Sequence, residues 1–155
     1  MKVDRGFEEL YRSEFQVVFR AVFALCGDVS VAEEATQEAF ARALARWRRL
    51  RDRSWTGGWV TTTAMNAARR SLRRRALSPP PVGEEHDVDA SVDLWKQVRS
   101  LPARQQEAVV LHYVMDLTVA DTAAAMGCEG GTVKAHLARA RAALRTQLEE
   151  THDDR

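Results

Sequence analysis

Three consecutive prolines, Pro79-Pro80-Pro81, lie near the middle of a 155-residue chain whose apolar residues otherwise follow helical spacing. Proline has no amide hydrogen to donate and its ring clashes with the preceding turn, so no helix runs through this point. The stretch that follows, from Gly83 through Glu84, Glu85, Asp87 and Asp89, is acidic and nearly devoid of large apolar side chains, the composition of a solvated tether. No segment shows the convincing period-two alternation of a strand. The expected fold is therefore all-α, with two small helical domains joined by a flexible linker rich in proline and acid. Boundaries of 1–76, a linker at 77–92, a second unit at 93–150 and a tail at 151–155 follow from this pattern.

Within the first unit, Phe7, Leu10, Tyr11, Phe15, Val18, Phe19, Val22 and Phe23 repeat at helical spacing, and Gly27 stops the run. Ser30-Val31-Ala32-Glu33 has the form of a capping box, in which Ser and Glu satisfy free amides at a helix start. The helix it opens is expected to reach about Leu50. Arg51 to Gly58 breaks the pattern, with Gly57-Gly58 free to turn, before another helix from Trp59 to Arg75. In the second unit periodicity resumes near Asp93. Pro102 suits the first turn of a helix carrying Ala108, Val109, Leu111 and Val114. A short helix from Thr118 to Met126-Gly127 and a final one from about Thr132 complete the chain.

Charge is distributed unevenly. The net charge is only +1, yet residues 41–75 hold eleven arginines and a single acid, Asp52. Residues 1–40 carry twice as many acids as bases, and residues 76–100 are also acidic. A basic block with almost no balancing acid suits a polyanion. On the Trp59–Arg75 helix, Thr62, Asn66, Arg69 and Arg73 fall on one stripe, where arginine and amide groups suit phosphates and base edges. Before it, Arg51, Arg53, Trp55 and Trp59 mix cations with aromatic rings, which suits unstacked bases. Each tryptophan taken singly also fits ordinary core packing.

The last two helices, with Gly127-Cys128-Glu129-Gly130-Gly131 between them, match helix-turn-helix spacing, although an ordinary helical hairpin uses the same turn chemistry. On the final helix Val133, Leu137, Ala140 and Leu144 form one apolar stripe. Gly131, Ala135, Ala138 and Ala142 point away from it, with Thr132 at the entrance and Lys134, Arg139 and Arg145 flanking the small-residue stripe. A bare helix face rimmed with cations can approach a duplex closely.

Enzyme chemistry has little to build on. The four histidines are scattered, and no nucleophile elbow, phosphate loop or paired metal-ligand motif is present. Neither a metal nor another cofactor is expected. Cys26 and Cys128 follow no ligand spacing and read as small buried side chains. The N-terminus shows no signal-peptide pattern, and no apolar run approaches the roughly 20 residues of a membrane span, so a cytoplasmic protein without membrane insertion is expected.

Over nearly its whole length the chain resembles the extracytoplasmic-function (group IV) sigma factors of bacterial RNA polymerase. Ala32-Glu33-Glu34-Ala35-Thr36-Gln37-Glu38-Ala39-Phe40 is similar to that family's core-binding helix, and Trp59–Arg75 to the helix after its promoter-melting loop. Leu101-Pro102-Ala103-Arg104-Gln105 and Gly131-Thr132-Val133-Lys134, followed by Arg139-Ala140-Arg141, resemble the second domain's start and recognition helix. The resemblance implies a promoter-specificity subunit without catalysis of its own. Core polymerase would dock on Glu34, Gln37 and Glu38. The minus-ten element would be met by Arg51, Arg53, Trp55, Trp59, Thr62, Asn66, Arg69 and Arg73. The minus-thirty-five element would be read by Gly131, Thr132, Lys134, Ala135, Ala138, Arg139 and Arg145. Promoter DNA and core RNA polymerase are the implied partners, with an anti-sigma factor as a further one. The chain departs from the family pattern at Arg70, Gln106, Asp121 and Glu129. A stand-alone regulator of the LuxR type is the alternative, because Thr132-Val133-Lys134-Ala135-His136-Leu137 fits that helix as well.

Overall fold

A computed structural model describes residues 2–77 and 91–153, with side chains for 2–77 and 94–146. The described residues contain no strand, in keeping with the expected all-α class. The Pro-rich segment and most of the expected linker lie outside them.

The first half comprises α1 (Arg5–Cys26), α2 (Val29–Ala45), α3 (Trp47–Leu50) and α4 (Thr56–Ala76). Asp4 caps α1: its Oδ1 accepts from the Gly6 amide at 2.7 Å, which holds the carboxyl below its ordinary range. Gly27 ends α1 in the left-handed region at φ 69°, where glycine carries no Cβ penalty. The next cap differs from the expected box. Asp28, not Ser30, caps α2, with Oδ1 accepting from Val31 N at 3.0 Å, while its Oδ2 pairs with Arg75 Nη1 at 2.6 Å. One carboxylate thus starts α2 and ties it to the end of α4, and Ser30 is left inside the first turn.

Val18, Val22, Val31, Ala35, Ala39, Phe40, Val60, Ala64 and Met65 form the first core, closed at one end by Phe7 and Leu50. The edge of Phe40 meets Tyr11 at 5.1 Å between ring centroids, and Phe15 lies 5.6 Å away. Burial pushes the Cys26 thiol up from its ordinary value, which leaves it an inert packing group.

The second half comprises α5 (Ser91–Arg99), α6 (Ala103–Val109), a π-helical turn over Val110–Val114, α7 (Val119–Met126) and α8 (Gly130–Asp153). The wide turn and a left-handed Asp116 (φ 58°) swing the chain into α7, whose first turn is capped by Thr118 accepting from Asp121 N at 3.1 Å. Its core is Val98, Leu101, Ala108, Leu111, Ala123, Met126, Val133, Leu137 and Ala140. The helix α8 runs on to Asp153, through part of the expected tail.

The two halves pack on each other, mainly α7 against α4 and α5 against α1. Gly58 shows why its side chain is absent. It lies inside α4 and is no turn residue as expected, and a Cβ there would sit 2.7 Å from Leu117 Cδ1 and 3.0 Å from Ala125 Cβ. Glycine suits the close approach of Leu117 and of Ala125 on α7. Val110, from the second half, is fully buried in the first core.

Candidate nucleic-acid interface

The loop between α3 and α4 is short, Arg51–Trp55, and turns on Asp52 at φ 64°. Aspartate is among the few side chains that tolerate this region. Thr56 Oγ1 staples the loop by donating towards Leu50 O (2.6 Å) and Arg53 O (2.9 Å). Arg51 and Arg53 are held outward and exposed. Trp55 is half-buried and touches both cores. Trp59 is also half-buried, with the Arg46 guanidinium 5.8 Å from its ring centroid. Trp47, like Trp55 and Trp59, packs partly buried against the first core, so these rings serve the fold.

Along α4 the expected stripe divides. Asn66 and Arg73 are exposed, Arg69 is partly buried, and Thr62 is buried with its hydroxyl donating to Trp59 O at 3.0 Å. Arg69 is held through both terminal nitrogens: Nη1 meets Asn66 Oδ1 (2.8 Å) and Glu107 Oε1 (3.1 Å), and Nη2 meets Ala103 O (3.2 Å) and Gln106 Oε1 (3.1 Å). Glu107 is only 2% exposed, and its other oxygen takes Arg104 Nη1 at 2.7 Å. Arg104 in turn donates to Met126 O at 2.8 Å, tying α6 to the end of α7. Sequence reasoning missed Glu107 entirely. Gln106 carried a signal, since it departs from the family pattern and here binds an arginine of the other half.

On α2, Glu34, Gln37 and Glu38 are exposed on the face opposite Val31, Ala35, Ala39 and Phe40. Glu38 Oε1 pairs with Arg42 (2.8 Å) and Arg70 (3.5 Å). Arg70, another departure from the family pattern, thereby bridges α4 to the acidic face. Both pairs are exposed and contribute little to stability.

On α8 the stripes fall where the sequence put them. Val133, Leu137 and Ala140 are buried, and Leu144 packs partly against them. Gly131, Thr132, Lys134, Ala138, Arg139, Ala142 and Arg145 are exposed, and Ala135 is half-exposed. Glu129 enters through its backbone, its carbonyl accepting from the amides of Thr132 and Val133 at 3.1 Å. A Cβ on Gly131 would meet nothing within 4 Å, so the entrance of the helix is open.

Residues 10–77 match the Sigma-70 region 2 family and residues 91–144 match Sigma-70, region 4, one on each side of the proline segment. The ECF RNA polymerase sigma factor SigC of Mycobacterium tuberculosis is 31% identical over 157 residues, covering 94% of this chain and 84% of the relative. The chain belongs to the ECF sigma factors. The RNA polymerase sigma-E factor of Streptomyces avermitilis is likewise 31% identical over 154 residues, with 92% of this chain and 85% of that relative covered. Two solved structures share the fold. One is the sigma factor RpoE of Bartonella quintana, solved with the anti-sigma factor NepR (TM-score 0.72, 22% identity, 94% of this chain and 98% of that one). The other is CnrH, solved with the cytosolic domain of CnrY (TM-score 0.69, 18% identity, 93% and 88%). The protein is thus a sigma factor that directs transcription initiation. The stand-alone LuxR-type reading finds no support, because region 2 fills the half it leaves unexplained. Among the described residues no helix is long and apolar enough to cross a membrane.

Proposed function

We propose that this ECF sigma factor divides its work among three faces. Residues 1–76 dock on core polymerase through Glu34, Gln37 and Glu38 and meet the minus-ten element through Arg51, Arg53, Trp55, Trp59, Thr62, Asn66, Arg69 and Arg73. Residues 93–150 read the minus-thirty-five element through Gly131, Thr132, Lys134, Ala135, Ala138, Arg139 and Arg145. The segment 77–92 serves as tether, so that two modest binding events reinforce each other through effective concentration. The chain acts in the cytoplasm as a non-catalytic specificity subunit, and an anti-sigma factor is a further partner. That last partner is supported by RpoE, a sigma factor of the same fold solved with one.

The observation that carries this reading is the outer face of α8. Small residues line it, cations rim it, and the opposite stripe is spent on the core. A helix of this shape lets its backbone approach a groove while long side chains reach phosphates from the flanks.

Lys134→Ala with Arg139→Ala is the direct test. Duplex promoter affinity is expected to fall, and the slope of log K against log salt to become shallower by about two, one for each phosphate left without its cation. Fluorescence anisotropy across a salt series reads both quantities. An unchanged slope would move the duplex site off α8.

A further inference from the structure

We propose that the cavity between α1, α4, α5 and α6 binds a small single-chain amphiphile bearing one negative charge, the chemistry of a medium-chain aliphatic carboxylate. The cavity has a volume of about 320 Å³, at the low end of the range in which proteins hold small ligands. Val22, Met65, Ala68 and Leu101 form its floor, and all four are buried. Leu25 and Leu72 carry the apolar wall outward to the surface, where Leu72 is exposed. A space of this size takes on the order of ten non-hydrogen atoms, one short chain rather than a two-chain lipid. The proposal needs none of the polymerase or promoter assignments above.

The polar side of the cavity sets the sign of the charge. Arg69, Arg99 and Gln106 line it, with no aspartate or glutamate among the lining residues. Arg69 is already held by Glu107 and Gln106, and Gln106 is used at both ends, its Nε2 donating to Arg99 O at 2.7 Å. Arg99 stands differently. Its Nε donates to Ala24 O at 2.7 Å, which plants the guanidinium against the end of α1, beside Gly27, where a Cβ would lie 3.5 Å from Nη1. Among the described residues neither terminal nitrogen of Arg99 has a hydrogen-bond partner, so a donor pair is held at the cavity mouth with its capacity unused. A carboxylate fits such a fork through two parallel N–H···O bonds. The neighbouring acid does not compete, because Asp28 gives Oδ1 to the Val31 amide and Oδ2 to Arg75. Cys26, kept neutral by burial, adds no charge to the wall. The lining therefore accepts an apolar body on its floor and one anionic head at Arg99. A cationic head meets like charge there, and an uncharged one leaves the fork unfilled.

Isothermal titration calorimetry of the full chain with sodium octanoate, kept far below its micelle threshold, tests the site. Saturable binding of one octanoate per chain is expected. The same chain with an uncharged head, 1-octanol, or a cationic head, octyltrimethylammonium, should bind about fivefold more weakly or worse. Acetate, which has the charge without the chain, should not saturate in the same concentration range. R99Q removes the anion fork at an exposed position and should weaken octanoate about fivefold or more while leaving 1-octanol unchanged. A68L, with folding checked by its thermal melt, fills the floor and should weaken octanoate and 1-octanol alike by about tenfold or more. The site is refuted by no saturable octanoate binding, by octyltrimethylammonium binding as tightly, or by R99Q or folded A68L binding octanoate as the parent does.

Discussion

Phe40→Ala is expected to cost the folded chain about 3–5 kcal/mol, the range for removing a buried aromatic ring from a packed core. Phe40 is 2% exposed and lies where α1 and α2 meet, among the rings of Phe7, Tyr11 and Phe15. Truncation would leave a cavity between α1 and α2 lined by these rings, of which Phe7 also packs on Trp47. A domain of ordinary stability holds only about 5–15 kcal/mol in total, so the variant should melt well below the parent. The functional consequence is specific as well. Phe40 anchors the helix whose opposite face carries Glu34, Gln37 and Glu38, so core binding should fall together with stability. Urea unfolding measures the loss, and a cost below about 1 kcal/mol would contradict this account of the first core.

The second large effect is expected at the face proposed to meet the minus-ten element. Arg69→Ala with Arg73→Ala should lower promoter opening by about tenfold or more, since each well-placed arginine contact contributes about 1–3 kcal/mol. Binding to core polymerase should be unaffected, because neither side chain lies on the exposed acidic face of α2. The two substitutions should not act alike when separated. Arg73 is exposed, so its removal takes away the proposed DNA contact alone. Loss of Arg69 also leaves the buried Glu107 with Arg104 as its remaining ion-pair partner, so this substitution alone should in addition lower the stability of the chain. Permanganate reactivity of promoter thymines reads opening, and co-elution with core polymerase reads docking. Equal losses in both assays would reject the division of labour between α2 and α4.

The parts of this protein legible in its sequence are those governed by local rules. The α8 stripes follow from 3.6-residue periodicity, and burial of Val133, Leu137 and Ala140 agrees with it. Gly27 and Gly127 end their helices at φ 69° as glycine-terminated helices do, and Thr118 caps α7 through Asp121 N. Local rules misled where two solutions compete within a few residues. Ser30 offered a capping box, but Asp28 begins the helix two residues earlier and gains Arg75 as a second partner. Gly57-Gly58 had the form of a turn, yet Gly58 lies inside α4, where the close approach of Leu117 and Ala125 leaves little room for a side chain. What could not be read at all is the contact between the halves. The Arg69–Glu107 pair joins residues 38 apart in sequence and Ser54–Asp121 joins residues 67 apart, and nothing local marks either acid as a partner. The same holds for the stripe proposed to meet the minus-ten element: helical geometry correctly places Asn66 and Arg73 outward, but only tertiary packing buries Thr62 and engages Arg69.

Run-off transcription with core RNA polymerase on a library of genomic promoters reads out both the sigma-factor role and the two-part promoter. With this chain added, discrete transcripts are expected whose start sites share a two-part upstream element at minus ten and minus thirty-five. That role would be contradicted by a purified, folded chain that fails to bind core polymerase, or that binds duplex DNA specifically yet yields no transcript from any promoter in the library.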